Sequence, residues 1–220
     1  MDPQLIVNGI ALGSIIALGA VGLTLTCGIL RLSNFAHGDL MTLGAFVAWM
    51  VNRSPIPVLN NIWVSMLVGI VATVGVALLT EAILWKRMRR VRATSTTLVI
   101  ISIGLALFLR NGILLIWGSD AKRFNLPIAS AIDVFGIKIK FYNLVVLGLA
   151  LVAIAALHFL LQNTKIGKAM RAVADDIDLA RVTGINVDRV VLWTWIIAAS
   201  LTGLGGQMYG LVTNVRPDMG

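Results

Sequence analysis

The residues best equipped for chemistry lie in one short polar break, Arg31–Asp39, which reads RLSNFAHGD between two apolar runs. It brings together the Asn34 amide, the His37 imidazole and the Asp39 carboxylate. Such groups hydrogen-bond a polar solute or move a proton. They do not make a metal centre, because no second His or Cys stands at a ligand spacing. No GxxxxGK followed by Ser or Thr, no HExxH, no GxSxG and no CxxC occurs, so neither a nucleotide-binding loop nor a familiar catalytic centre is signalled. The carboxylates associated with apolar runs are Asp39 and Glu81, both near run ends, too few for a proton relay. The sequence therefore assigns no catalytic residue, no metal and no cofactor, and an enzyme is the least favoured class. Cys27, the single cysteine, sits in an apolar run and signals no thiol chemistry.

The elements that must hold these residues are membrane spans. Of 220 residues, 58% are hydrophobic and 13% charged, and mean hydropathy is +0.92. Several apolar runs exceed the roughly 20 residues a helix needs to cross a bilayer. None alternates as barrel strands do. The expected fold is all-α, a polytopic transmembrane helical bundle. The runs are Leu5–Leu30, Leu40–Val51, Ile62–Trp85, Thr94–Trp117, Phe141–Leu161 and Val190–Val212. Gly9 with Gly13, and Gly206 with Gly210, form two GxxxG pairs that would let helices approach closely. Trp63 and Trp85 are expected at the two interfaces of the third run, and His158 at the inner end of its own. Arg110 and Asn111 fall inside a run, where the Arg either snorkels or marks function. The segment VFGIKIK suggests a short hairpin around Gly136.

Leu40–Val51 is too short to span by itself. The break before it is a plain loop, or it lies within the membrane between half-helices. In the second case Asn34, His37 and Asp39, with Gly38 and Thr42 beside them, line a translocation pathway. The bland alternative makes Asn34 or Asp39 the N-cap of the following helix.

The net charge of +8 fits basic loops on the cytoplasmic side better than nucleic acid. Arg31, Lys86, Arg87, Arg89, Arg90, Arg92, Lys165, Lys168, Arg171, Arg181 and Arg189 fall on that side. Arg53, Lys122, Arg123, Lys138 and Lys140 fall on the other. With each run counted as one crossing, the N-terminus is outside, and a re-entrant break would change that parity. The KRMRRVR cluster, Lys86–Arg92, also meets anionic lipid.

Thr164–Arg189 is polar and lies between two spans. Ile166, Met170, Val173, Ile177 and Ala180 recur at spacings of four and three, one face of a helix. Gly184 is a plausible stop. The narrow apolar face either folds against lipid or the chain's own spans, or docks a soluble protein that drives the membrane part.

The stretch GLTLTCGILRLSNFAHGDLMTLGAF, Gly22–Phe46, resembles the LivH-type membrane permeases of bacterial ABC importers for branched-chain amino acids. GKAMRAVADDIDLARVTGINVDRV, Gly167–Val190, is similar to the loop by which that family meets its ATPase. The resemblance implies one permease domain over residues 1–220 with a cytoplasmic coupling loop at 164–189. It implies a C-terminally incomplete domain, because the family continues with further spans. It also implies a second homologous permease, two cytoplasmic ATPases, a periplasmic substrate-binding protein and a place in the bacterial inner membrane. Gly167, Arg171, Ala172 and Gly184 match the ATPase-contacting loop, joined there by Met170, Val173 and Ile177 from the helical face and by Asp175 off it. The expected function is ATP-driven import of branched-chain or neutral amino acids. Permeases for urea, amides or sugars, a passive channel and a non-transporting scaffold are the alternatives.

Overall fold

The computed structural model describes residues 3–56, 58–91, 93–125, 132–134, 137–139 and 141–220. It is an all-α bundle with one small antiparallel ribbon. The helices are α1 (Pro3–Leu30), α2 (His37–Asn52), α3 (Ile62–Thr80), α4 (Lys86–Arg90), α5 (Ser95–Trp117), α6 (Phe141–Asn163), α7 (Lys165–Asp175), α8 (Ile177–Val182) and α9 (Val187–Val212). A π-helical turn, Glu81–Trp85, joins α3 to α4. Strands β1 (Ile132–Val134) and β2 (Ile137–Ile139) pair Ile132 with Ile139, which gives the expected hairpin. Its turn residues Phe135 and Gly136 lie outside the described residues, as do Arg92 and Lys140.

Among the described residues, five helices are long and apolar enough to cross a membrane: Leu5–Leu30, Ile62–Arg90, Ser95–Trp117, Phe141–Asn163 and Val187–Val212. The remaining run, Leu40–Val51, does not form a full span. α2 begins deep in the bundle, with His37 level with Gly19 on α1 and Thr202 on α9. α1 continues past that level to Leu30, a further ~16 Å at 1.5 Å per residue. The segment Arg31–Ala36 must therefore climb back into the bundle. The reversal starts at Arg31, whose φ of 51° lies in the left-handed region, and the Arg31 guanidinium donates to the Asp175 carbonyl at 3.2 Å. α2 then runs on to the opposite end, where Asn52 receives the Asn125 N–H. Break and helix together make one crossing, so the parity of the chain is kept.

α9 is the central element, packed on α1, α2 and α3. Its Gly206 lies under the Met41 carbonyl so closely that an added Cβ would stand 2.1 Å from that oxygen. Gly210 likewise faces Val215 and Phe124. The second GxxxG is thus a packing device. Gly9 and Gly13 have no such neighbour among the described residues.

One expectation about the third run is corrected. Trp63 is exposed, but Trp85 is 1% exposed and stacks on Trp195 with ring centroids 6.5 Å apart. Glu81 and Trp85, at the two ends of the π-turn, both meet Trp195 of α9. Glu81, also buried, is paired with Arg89 through both carboxylate oxygens and accepts the Trp195 indole N–H at 2.7 Å. A buried carboxylate is costly without such partners. Glu81 is a structural anchor, not part of a relay.

Candidate translocation site and coupling helices

A cavity of about 640 Å³ lies where the α1–α2 break enters the bundle. Its walls are Ile15, Ile16, Gly19, Ala20, Leu23 and Cys27 of α1, Ser33–Phe35 of the break, His37, Gly38 and Met41 of α2, and Tyr209 and Met219. The wall is mostly apolar, with a polar floor at the break. Of the residues expected on the pathway, Asn34, His37 and Gly38 line it, while Asp39 and Thr42 do not.

Neither Asn34 nor Asp39 is an N-cap. Ala36 holds that position without a side-chain bond, because the helix starts only at His37. Asn34 instead folds back locally: its Oδ1 accepts the Ala36 N–H at 3.2 Å. Asn34 is 3% exposed, and its Nδ2 has no partner among the described residues. A buried amide with unspent donors is rare and expensive. The Gly38 and Asp39 amides, in the first turn of α2, have no backbone acceptor among the described residues. A helix start presents free N–H groups and the positive end of its dipole.

His37 ties three helices together. Its Nε2 is 3.0 Å from the Gly19 carbonyl and 3.0 Å from Thr202 Oγ1. Thr202 spends its proton on the Ala198 carbonyl at 2.6 Å. Both neighbours are therefore acceptors towards the ring, so Nε2 carries the proton and Nδ1 presents a lone pair. Asp39 is half-buried and lies within electrostatic reach of Arg110 on α5. Thr42 is fully buried, and its hydroxyl donates to the Gly38 carbonyl at 3.2 Å, closing the first turn of α2. Among the described residues no group of His, Cys, Asp and Glu could hold a metal.

Sequence reasoning did not single out Thr202, Tyr209 or Met219. Thr202 stood next to the glycine-rich run of α9, where only packing was looked for. Met219 reaches the cavity because the segment after α9 turns back into the bundle, bringing Gly220 against Gly38.

The expected single helix over the coupling stretch is two. Asp176 breaks it, accepting the N–H groups of Asp178 and Leu179 at 2.9 Å as the N-cap of α8. Thr164 caps α7 through the Gly167 N–H. Gly184, at φ +88°, ends α8 as expected: its N–H reaches the Arg181 carbonyl and that of Ile185 reaches Ala180. Met170 and Val173 are each 1% exposed and pack with Leu25, Ile29, Leu157 and Val190. The amphipathic face is thus folded against the chain's own spans. Gly167 sits on the Leu160 and Leu161 backbone, where any Cβ would clash at 2.3 Å. Ala172 and Ile177 are half-buried, while Arg171, Asp175, Leu179, Val182 and Gly184 face outward.

The chain is 30% identical over 226 residues to the LivH protein of Salmonella typhimurium, named a high-affinity branched-chain amino acid transport system permease, covering 95% of this chain and 72% of the relative. It is 26% identical to the BraD protein of Pseudomonas aeruginosa, with the same description, over 99% of this chain and 74% of the relative. The probable LivH protein of Methanocaldococcus jannaschii is 28% identical over 100% of this chain and 70% of the relative. No solved structure matches the chain significantly. The profile of a family described as "Branched-chain amino acid transport system / permease component" matches residues 5–220, so the chain belongs to that family of multi-pass membrane permeases.

Proposed function

We propose that this chain is a permease subunit of an ABC importer that moves branched-chain or other neutral amino acids across the bacterial inner membrane. It works with a second homologous permease, two cytoplasmic ATPases and a periplasmic binding protein. The observation that carries the reading is the cavity at the α1–α2 break. An amino-acid zwitterion needs donors for its carboxylate, an acceptor for its ammonium group and an apolar wall for its side chain. The unspent Asn34 amide and the N–H groups at the start of α2 supply the donors. His37 Nδ1 supplies an acceptor. Ile15, Ile16, Leu23 and Met41 supply the wall. Half-helices that end at midplane meet ionic substrates in this manner in other transporters.

The end bearing α4, α7 and α8 faces the cytoplasm in this reading, since the basic clusters gather there. The N-terminus is then outside. Residues 164–189 form the coupling loop of a single permease domain. α7 is fixed to α1, α6 and α9 through Met170 and Val173. α8 offers Leu179 and Val182, 61% and 80% exposed, beside Arg171, Asp175 and Gly184 for an ATPase. Force applied to α8 passes through α7 into the spans that wall the cavity.

The test is ATP hydrolysis and uptake by the full complex in proteoliposomes, with leucine, urea and ribose each presented on a matching binding protein. ATP-dependent uptake of leucine-like substrates supports the reading. Uptake of urea or ribose alone reassigns the substrate, and flux without ATP makes the chain a channel.

A further inference from the structure

Topology rules do not explain the opposite end of the bundle. There a pocket of about 650 Å³ is lined by Trp49, Arg53, Asn60, Lys122, Arg123 and Asn125, among others, and none of its lining residues is acidic. Arg53 and Lys122 flank the Trp49 ring, with their charged groups 5.7 and 5.6 Å from its centroid. The Trp49 indole donates to the Arg123 carbonyl at 3.0 Å. Arg123 Nε donates to Asn214 at 2.9 Å, which leaves its terminal nitrogens without a partner among the described residues. The strand of chain carrying Lys122 is bonded to Val215 on one side, and Asn125 to Asn52 on the other. The pocket is therefore built and held, not a chance meeting of loose side chains. Lys122 is paired with the exposed Asp120 carboxylate at 3.6 Å, whereas Arg53 and Arg123 have no ion pair among the described residues. Three cations held around one concavity repel one another, and an anion relieves that repulsion.

We infer that this pocket binds the phosphate of an anionic phospholipid headgroup in the leaflet at this end of the bundle. A lipid is favoured over an acidic protein by the pocket's margin. Met50, one turn before Arg53, is exposed, and so are Ile56, Val58 and Trp63 in the neighbouring segment. Those side chains suit acyl chains and the interfacial zone, where indoles and cations together mark headgroup depth. The inference rests on the reading of this end as lying at a membrane surface, and it is independent of which solute is carried.

The experiment measures binding of short-chain phosphatidylglycerol, short-chain phosphatidylcholine and inorganic phosphate to the purified full complex in neutral detergent. The expected result is saturable binding of phosphatidylglycerol, weakened about tenfold or more in Arg53→Gln/Lys122→Gln, since each charge-assisted hydrogen bond contributes on that order. Arg53→Lys/Lys122→Arg keeps both charges and retains most of the binding. It also reports on folding, as does Lys122→Gln alone, should the double variant fail to assemble. Equal binding of phosphatidylcholine, or inorganic phosphate binding as tightly as the lipid, would overturn the proposal. So would unchanged lipid binding in a double variant that instead loses its binding protein. Transport is not part of the readout, so a wrong substrate assignment leaves this test intact.

Discussion

At the scale of single residues, the site depends on which polar groups are spent and which are free. Asn34 Nδ2 is unspent while its Oδ1 accepts the Ala36 N–H, so Asn34→Leu removes a substrate donor and costs about 1 kcal/mol of stability for the one lost backbone bond. Uptake by the full complex is expected to fall about tenfold, the worth of one hydrogen bond to a charged group, with permease abundance unchanged by immunoblot. His37 is different, because its ring bridges α1, α2 and α9. Thr202→Val removes one of its two acceptors and costs about 1 kcal/mol in thermal unfolding, since the Gly19 carbonyl still takes the proton. Arg89→Gln leaves Glu81 buried with only the Trp195 indole. Breaking a buried pair costs about 3–5 kcal/mol, and Arg89, one-third exposed, places the loss at the lower figure. Arg89→Lys should restore most of it, and a variant as stable as the parent would show that the pair anchors nothing.

At the scale of elements, the coupling helices make the sharpest prediction. Met170→Asp buries a charge among Leu25, Leu157 and Val173 and should destabilise the permease itself. Leu179→Asp/Val182→Asp changes only exposed positions. It should leave the thermal midpoint in place while abolishing co-purification of the ATPase. The apolar periodicity of Ile166, Met170 and Val173 was legible in the sequence, because burial leaves a 3.6-residue pattern. The break at Asp176 was not, since an Asp inside a polar helix reads the same whether it caps or merely faces solvent. The membrane-spanning runs were legible from hydropathy, yet Trp85 was misplaced as interfacial. An indole near a span end goes to lipid or core according to whether a neighbouring helix covers it, and here that partner is Trp195, more than a hundred residues away. The NFAHGD break was recognisable as special, but its fold-back depth, and the partners Thr202 and Met219, depend on contacts across more than a hundred residues.

At the scale of the whole molecule, the chain is a bundle organised on α9 with an incomplete helix, α2, beginning in its middle. The cavity opens at that beginning, and the coupling helices pack on α1, the helix that walls it. Gly206 of α9 sits directly against the Met41 backbone of α2. Gly206→Leu is expected to separate α2 from α9, at a cost of about 1–3 kcal/mol from overpacking, and to abolish transport before it abolishes membrane insertion. Separate measurements of uptake and protease protection would distinguish the two losses. In the proposed function the break at Asn34–Gly38 is the substrate's path and ATP drives passage through it. The most direct measurement is leucine-stimulated ATP hydrolysis alongside labelled leucine uptake, made on the full complex in proteoliposomes with parent and Asn34→Leu permeases. The parent is expected to show ATP-dependent uptake, and the variant to form an assembled complex whose uptake falls about tenfold while basal hydrolysis persists. Unchanged uptake by the variant, or uptake by the parent without ATP, would contradict the proposed function.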